Sequence, residues 1–232
     1  MEYLPKGFTL EVPEGCFPLS TDSMLLAHFC RLPRKAKVLD LGAGCGTLGL
    51  LLCAKDPNCT VTGIERDETA HLAALENIRA NGLDRLESIC ADLRQIHQQF
   101  QLGSFDCCVS NPPYFSGGLA SVQTPTARRE DHCTAADLMK SASNALKFGG
   151  DFFLVHKPER LADLITRAAA CQLEAKRLML VRHKEGGPVM LILLQFRKGG
   201  KPGLIWEEAS LFDSHHLPTA FYRSVYHIDD TQ

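Results

Sequence analysis

From Lys35 onward, apolar runs of strand length alternate with stretches of helical spacing, and no other feature constrains the fold of this chain as strongly. The strand-like runs are 36–41, 60–65, 87–91 and 105–110; between them lie helical patterns at 46–55 and 67–80 and a weaker one at 93–100. A strand, a helix and a second strand in register bury their apolar faces best as a parallel unit, so the pattern predicts an α/β doubly wound, mostly parallel sheet. Thr134 and Asp137 open a further helix with a capping-box spacing, expected to stop at Gly149 and Gly150. A strand at 151–156 and a helix at 158–171 follow, and strands 175–182 and 189–197, joined by 184–188, read as a C-terminal antiparallel hairpin. Ahead of the core, 21–32 has helical spacing with Leu25, Leu26 and Phe29 on one side, and Pro33 marks its end. The 232 residues thus divide into an N-terminal extension (1–34) whose helix packs near the ligand site, a core (35–204), and a tail (205–232) within the same domain.

A formal net charge of −2 argues against a generally basic nucleic-acid coat, so any such site is local. The ten cysteines include no Cys-x-x-Cys, and Cys45, Cys53, Cys90, Cys107 and Cys108 fall in expected core elements, where they read as small buried hydrophobes. Unpaired thiols in this number fit a reducing compartment, and residues 1–10 lack the apolar stretch of a signal peptide, which places the protein in the cytoplasm. The longest apolar run, 189–194, is too short to cross a bilayer, so no membrane partner is expected. His215 and His216 have no metal-ligand spacing, so no metal is expected either.

Residues 38–46, Val-Leu-Asp-Leu-Gly-Ala-Gly-Cys-Gly, end a strand and open a helix, which is where a doubly wound sheet holds a nucleotide-like ligand. Gly44-x-Gly46-x-x-Gly49 also matches the dinucleotide fingerprint, and Glu65 ends the next strand where a ribose-binding carboxylate belongs, so an NAD enzyme is an alternative. Asp40 decides against it: a carboxylate before the turn repels a pyrophosphate by roughly 4 kcal/mol at 4 Å and an effective dielectric near 20. The same carboxylate attracts a cation. S-adenosyl-L-methionine, with a sulfonium, an ammonium and no phosphate, suits Asp40, Gly42, Gly44 and Gly46. Asp92, after the third strand, is placed to accept from the adenine amine, although an aspartate there also serves as a helix cap.

Asn111-Pro112-Pro113-Tyr114 follows the fourth strand. Two prolines remove backbone donors and leave rigid carbonyl acceptors beside the Asn111 amide oxygen, an arrangement that fits a planar –NH2 group. Tyr114 adds a face on which the ring bearing that amine stacks, a contact of roughly 1–3 kcal/mol per base in nucleic-acid binders. A strand-terminating Asn-Pro turn is the plain alternative.

Together these residues resemble class I S-adenosylmethionine-dependent methyltransferases with an Asn-Pro-Pro-Tyr motif. Four further segments, 17–26, 127–130, 155–161 and 197–204, resemble the bacterial tRNA1(Val) adenine-N6 methyltransferase family. The resemblance implies N6-methylation of an adenine in tRNA, in the anticodon loop of tRNA(Val), with S-adenosyl-L-methionine as cofactor. It further implies Gly42, Gly44 and Gly46 along the cofactor, Glu65 on the ribose, Asp92 and Leu93 around the adenine, and Thr21 and Asp22 near the methionine end. Asn111, Pro112 and Tyr114 would hold the target base, Asn111 also touching the cofactor, with Pro113, Phe115, Arg128 and Arg129 on the substrate. Further cations at 132, 157, 160, 182–184, 197, 198 and 201 are candidates for RNA contact. A protein-glutamine N5-methyltransferase acting on release factors and an rRNA guanine-N2 methyltransferase are the alternatives. The first has relatives with a helical domain ahead of the glycine turn, whereas about 35 residues precede it here. Oligomeric state is left open.

Overall fold

The computed structural model describes residues 1–112 and 133–228. A short antiparallel pair, β1 (Glu2–Tyr3) and β2 (Thr9–Leu10), precedes helix α1 (Thr21–Phe29). The core then alternates as expected: β3 (Lys37–Leu41), α2 (Thr47–Lys55), β4 (Thr60–Glu65), α3 (Glu68–Ala80), β5 (Leu86–Cys90), α4 (Ile96–Gln99) and β6 (Phe105–Ser110). After it come α5 (Ala135–Ala145), β7 (Leu146–His156), α6 (Leu161–Ala170), β8 (Leu173–Lys184), β9 (Val189–Lys198), β10 (Ile205–Phe212) and α7 (Ala220–Tyr226). Strands β3 to β10 form one eight-stranded sheet in the order β10-β8-β9-β7-β6-β3-β4-β5. Its described pairings are parallel except the two that β9 makes with β7 and β8, so the fold is the doubly wound, mostly parallel sheet with a C-terminal antiparallel hairpin.

Both sheet faces are covered, which is why β3 reads as continuously apolar around Asp40. On one face Leu25 and Leu26 of α1, Leu50 and Leu52 of α2 and Val225 of α7 pack with Val38, Val61 and Val109. On the other, Leu138 and Met139 of α5 and Leu164 of α6 pack with Leu39, Leu41 and Cys108.

Gly149 and Gly150 do not terminate α5. That helix ends at Ala145, where Lys198 Nζ donates to the carbonyls of Ser143 (2.6 Å) and Leu146 (2.9 Å). The two glycines lie inside β7, whose ladder with β6 shifts register between Phe105 and Cys107. Gly149 has a φ of +81°, and a Cβ on Gly150 would stand 2.9 Å from the Asp106 carbonyl, so they form a bulge where two backbones meet closely. Thr134 and Asp137 do form the capping box at the start of α5. Cys45, Cys53, Cys107 and Cys108 are buried as expected, but Cys90 is exposed, at the end of β5, one of the sheet's two edge strands.

Residues beyond 204 extend the sheet, β10 running parallel to β8 from Ile205 opposite Arg177 to Phe212 opposite Lys184. The buried Arg177 guanidinium donates to Glu207 at 2.8 Å and to the Phe29 carbonyl at 3.3 Å, and lies 4.1 Å from the Phe29 ring centroid. It thereby ties the outer strand to the end of α1.

The N-terminal segment is held by two asparagines one turn apart, Asn77 on α3 and Asn81 capping its end. Asn77 accepts from the Glu11 N–H (2.8 Å) and donates to the carbonyls of Glu11 (2.9 Å) and Cys45 (3.0 Å). Asn81 exchanges the same pair of bonds with Thr9. Side-chain amides here replace a missing strand partner. Because Asn77 is 3% exposed, Asn77→Ala leaves the buried Cys45 carbonyl without its donor and loses both bonds to Glu11, and is expected to cost about 2–3 kcal/mol. Urea unfolding reads this as a lowered midpoint; a change below about 0.5 kcal/mol would contradict it.

Candidate active site

Strands β6, β3, β4 and β5 are consecutive neighbours and parallel, so Asn111, the 42–46 turn, Glu65 and Asp92 line one edge of the sheet. The chain leaves β3 for β4 on one side, while β6 joins β3 on the other. This makes the gap between β3 and β6 the topological switch point, where open α/β sheets hold ligands.

The turn is pinned to β4. Gly42 and Ala43 N–H both donate to the Ile64 carbonyl, at 2.9 and 3.1 Å, and Gly44 N–H donates to Glu65 Oε2 at 2.9 Å. Gly42, Gly44 and Gly46 have φ values of +77°, +55° and +85°, a left-handed path that favours glycine. A Cβ added at Gly42 or Gly44 meets nothing within 4 Å, so the turn borders open space. Gly63, which the sequence reading passed over, lets β4 approach: a Cβ there would lie 2.7 Å from that of Ala43. A lone glycine inside a strand is the signal for such a contact.

Asp40 is the anomaly. It is 1% exposed, and neither carboxylate oxygen has a hydrogen-bond partner among the described residues. Burial pushes its carboxyl up to about 8, and the nearby Glu65 adds to the effect. Strand alternation puts Asp40 on the face of Val38, toward α1. Asp40 pairs with Val109, so Asn111, two residues on, projects to that same face. There the Asn111 Nδ2 donates to Ser23 Oγ of α1 at 3.0 Å. Ser110 Oγ, fully buried, donates to the Leu41 carbonyl at 2.7 Å and clamps the ends of β6 and β3 together. A buried, unsatisfied carboxylate beside an open glycine turn fits a ligand carrying a cation.

Glu65 and Asp92 are already engaged by their own chain. Glu65 Oε1 accepts from the N–H groups of Arg66 (2.7 Å) and Asp67 (2.8 Å) besides the Oε2 bond to Gly44, which leaves about one of the carboxylate's four acceptor positions. Asp92 caps the short turn at Leu93–Gln95, and its pairing with Arg94 holds the carboxyl below its usual range; Leu93 packs on the core. Thr21 opens α1 and accepts from the Tyr226 hydroxyl of α7 at 3.0 Å. Burial raises the Asp22 carboxyl while Lys157 opposes the shift. Pro112 is buried beside Asn111. Pro113, Tyr114, Phe115, Arg128, Arg129 and His132 lie outside the described residues.

Several of the candidate cations are engaged within the fold. Arg197 is bidentate on Asp151 at 2.8 Å, and Lys198 holds the end of α5; both lie toward the amino ends of the parallel strands. Lys157, Arg182, His183 and Lys184 stand at the carboxyl edge, with Arg182 bound to the Gly187 carbonyl and Lys184 to His216. Among the described residues, no group of His, Cys, Asp and Glu is arranged to hold a metal ion, and no helix is long and apolar enough to cross a membrane.

Residues 20–165 match the family described as methyltransferase small domain. A tRNA1(Val) (adenine(37)-N6)-methyltransferase of Bacteroides fragilis is 34% identical over 82% of this chain and 81% of its own. The one from Bacteroides thetaiotaomicron is 31% identical over 95% and 93%. Among solved structures, a predicted O-methyltransferase from Agrobacterium tumefaciens superposes with a TM-score of 0.74 at 21% identity, over 89% of this chain and 96% of that one, a likeness of fold.

A carboxyl raised on folding stabilises the protein fully below its ordinary value near 4 and loses that contribution as pH rises through about 8. The ligand-free protein is therefore expected to lose stability relative to Asp40→Asn as pH rises across that window. Urea unfolding of both variants at each end of the window checks it; parallel pH profiles would contradict the assignment.

Proposed function

The chain belongs to the methyltransferase small domain family, and on that premise we propose that it methylates the N6 amine of an adenine in tRNA, in the anticodon loop of tRNA(Val). It is an S-adenosyl-L-methionine-dependent methyltransferase. The observation that carries the reading is Asn111 on the same sheet face as Asp40, whose oxygens have no partner among the described residues, with its –NH2 bound to Ser23 so that its oxygen is the end left for an amine. The names of the relatives support tRNA and the adenine at position 37.

When bound, S-adenosyl-L-methionine would supply a methyl group on a positively charged sulfur: the carbon–sulfur bond breaks as the carbon–nitrogen bond forms, a neutral thioether leaves, and the amine gives one proton to water. Asp40 would hold the cofactor's ammonium, Gly42, Gly44 and Gly46 would border it, Glu65 would offer its remaining acceptor position to the ribose, and Asp92 and Leu93 would hold the adenine. An exocyclic amine conjugated into its ring is a weak nucleophile. Asn111 Oδ1 and the Pro112 carbonyl accept its two hydrogens and draw its lone pair out of the ring. With the methyl already activated, alignment supplies much of the acceleration. Tyr114 stacks the extruded base, which costs least for a loop nucleotide that is already unpaired.

Two outcomes follow. Incubation with labelled S-adenosyl-L-methionine and total tRNA, then nucleoside mass spectrometry, is expected to yield N6-methyladenosine. Label confined to protein, or N2-methylguanosine in its place, would overturn the substrate. Asn111→Ala is expected to lower turnover by about 100-fold or more while leaving cofactor affinity within about threefold. A parallel loss of cofactor binding would contradict the role given to the amide.

A further inference from the structure

We infer that Ser23 is a positioning residue for the methyl transfer, fixing which end of the Asn111 amide faces the acceptor amine; the inference rests on the reading of Asn111 given above. An asparagine side chain presents a donor on one side and an acceptor on the other, and only the oxygen serves an –NH2 substrate. Rotation of the amide by half a turn would put Nδ2 against the amine, donor against donor. Ser23 prevents it: its hydroxyl accepts from Asn111 Nδ2 at 3.0 Å, across 88 residues of sequence. The hydroxyl is oriented in turn by Ser20 Oγ at 3.3 Å. Ser23 is 5% exposed, so water offers little substitute as the amide's partner.

The geometry also separates this role from a structural one. Ser20 caps α1 by accepting from the backbone N–H of Ser23, also at 3.3 Å, and an alanine at 23 keeps that N–H. Ser23→Ala therefore removes the amide's anchor and leaves the helix cap in place, whereas Ser23→Thr retains a hydroxyl.

The test has two readouts. The Asn111 side-chain amide, assigned in 15N–1H spectra by its loss in Asn111→Ala, is protected from solvent exchange in the wild type and in Ser23→Thr and loses that protection in Ser23→Ala. This holds whichever amine is the substrate; equal exchange in Ser23→Ala would overturn the inference. On tRNA, Ser23→Ala is expected to reduce kcat by about tenfold, with cofactor Kd unchanged, activity largely restored by Ser23→Thr, and no further loss in the Asn111→Ala background. Unchanged kcat, a loss that persists when Asn111 is already alanine, or a fall in cofactor affinity would overturn it. Failure of the substrate reading shows itself separately, as a wild-type enzyme that leaves tRNA unmodified while the exchange comparison still stands.

Discussion

The unpartnered carboxylate of Asp40 is the constraint around which the rest of this structure is arranged. A carboxylate taken out of water with no donor to meet it costs several kcal/mol, and folded proteins ordinarily pair it or exclude it. Here it sits in the middle of a strand buried on both faces, 1% exposed, with both oxygens idle among the described residues. The bonds from Gly42 and Ala43 to Ile64, the clamp from Ser110 to Leu41 and the close approach at Gly63 all hold the backbone around it in one shape. The free protein meets that cost by keeping the proton on Asp40, whose carboxyl is pushed up to about 8, inside a frame that holds the group in place.

The contrast with Glu65 and Asp92 explains the division of labour. Those carboxylates are nearly saturated by backbone N–H groups and by Arg94, so their first task is to hold the glycine turn and the start of the following turn in place. Asp40 alone of the three makes no hydrogen bond among the described residues. In the proposed reaction this makes the cofactor's ammonium the missing partner, while Ser23 and Asn111, reaching the same face from α1 and β6, present an oxygen to the amine.

Much of the fold was legible in the chain. Strands 60–65 and 105–110 have the bounds expected, because short apolar runs flanked by turn residues leave little freedom in register, and the placement of the 42–46 turn, Glu65, Asp92 and Asn111 at strand ends followed from that periodicity. Three things did not follow. Gly149 and Gly150 read as a helix stop but form a bulge, since sequence spacing cannot distinguish a glycine ending one element from a glycine admitting a neighbouring backbone. β10 carries Ile205 and Trp206 largely exposed on an outer strand and lacks the clean alternation of a half-buried one. The bonds from Ser23 to Asn111 and from Asn77 to Glu11 span 88 and 66 residues, and local pattern carries no trace of such pairs.

Proton linkage tests most directly whether Asp40 is the counter-charge for the cofactor's ammonium. Calorimetric titration of S-adenosyl-L-methionine at about pH 6.5, in buffers of different ionisation enthalpy, counts the protons released on binding. With its carboxyl raised to about 8, Asp40 is largely protonated in the free protein and must ionise to pair with the ammonium. Close to one proton is expected to be released from the wild type and none from Asp40→Asn, with weaker binding in the variant. Equal proton release and equal affinity in the two proteins would contradict it.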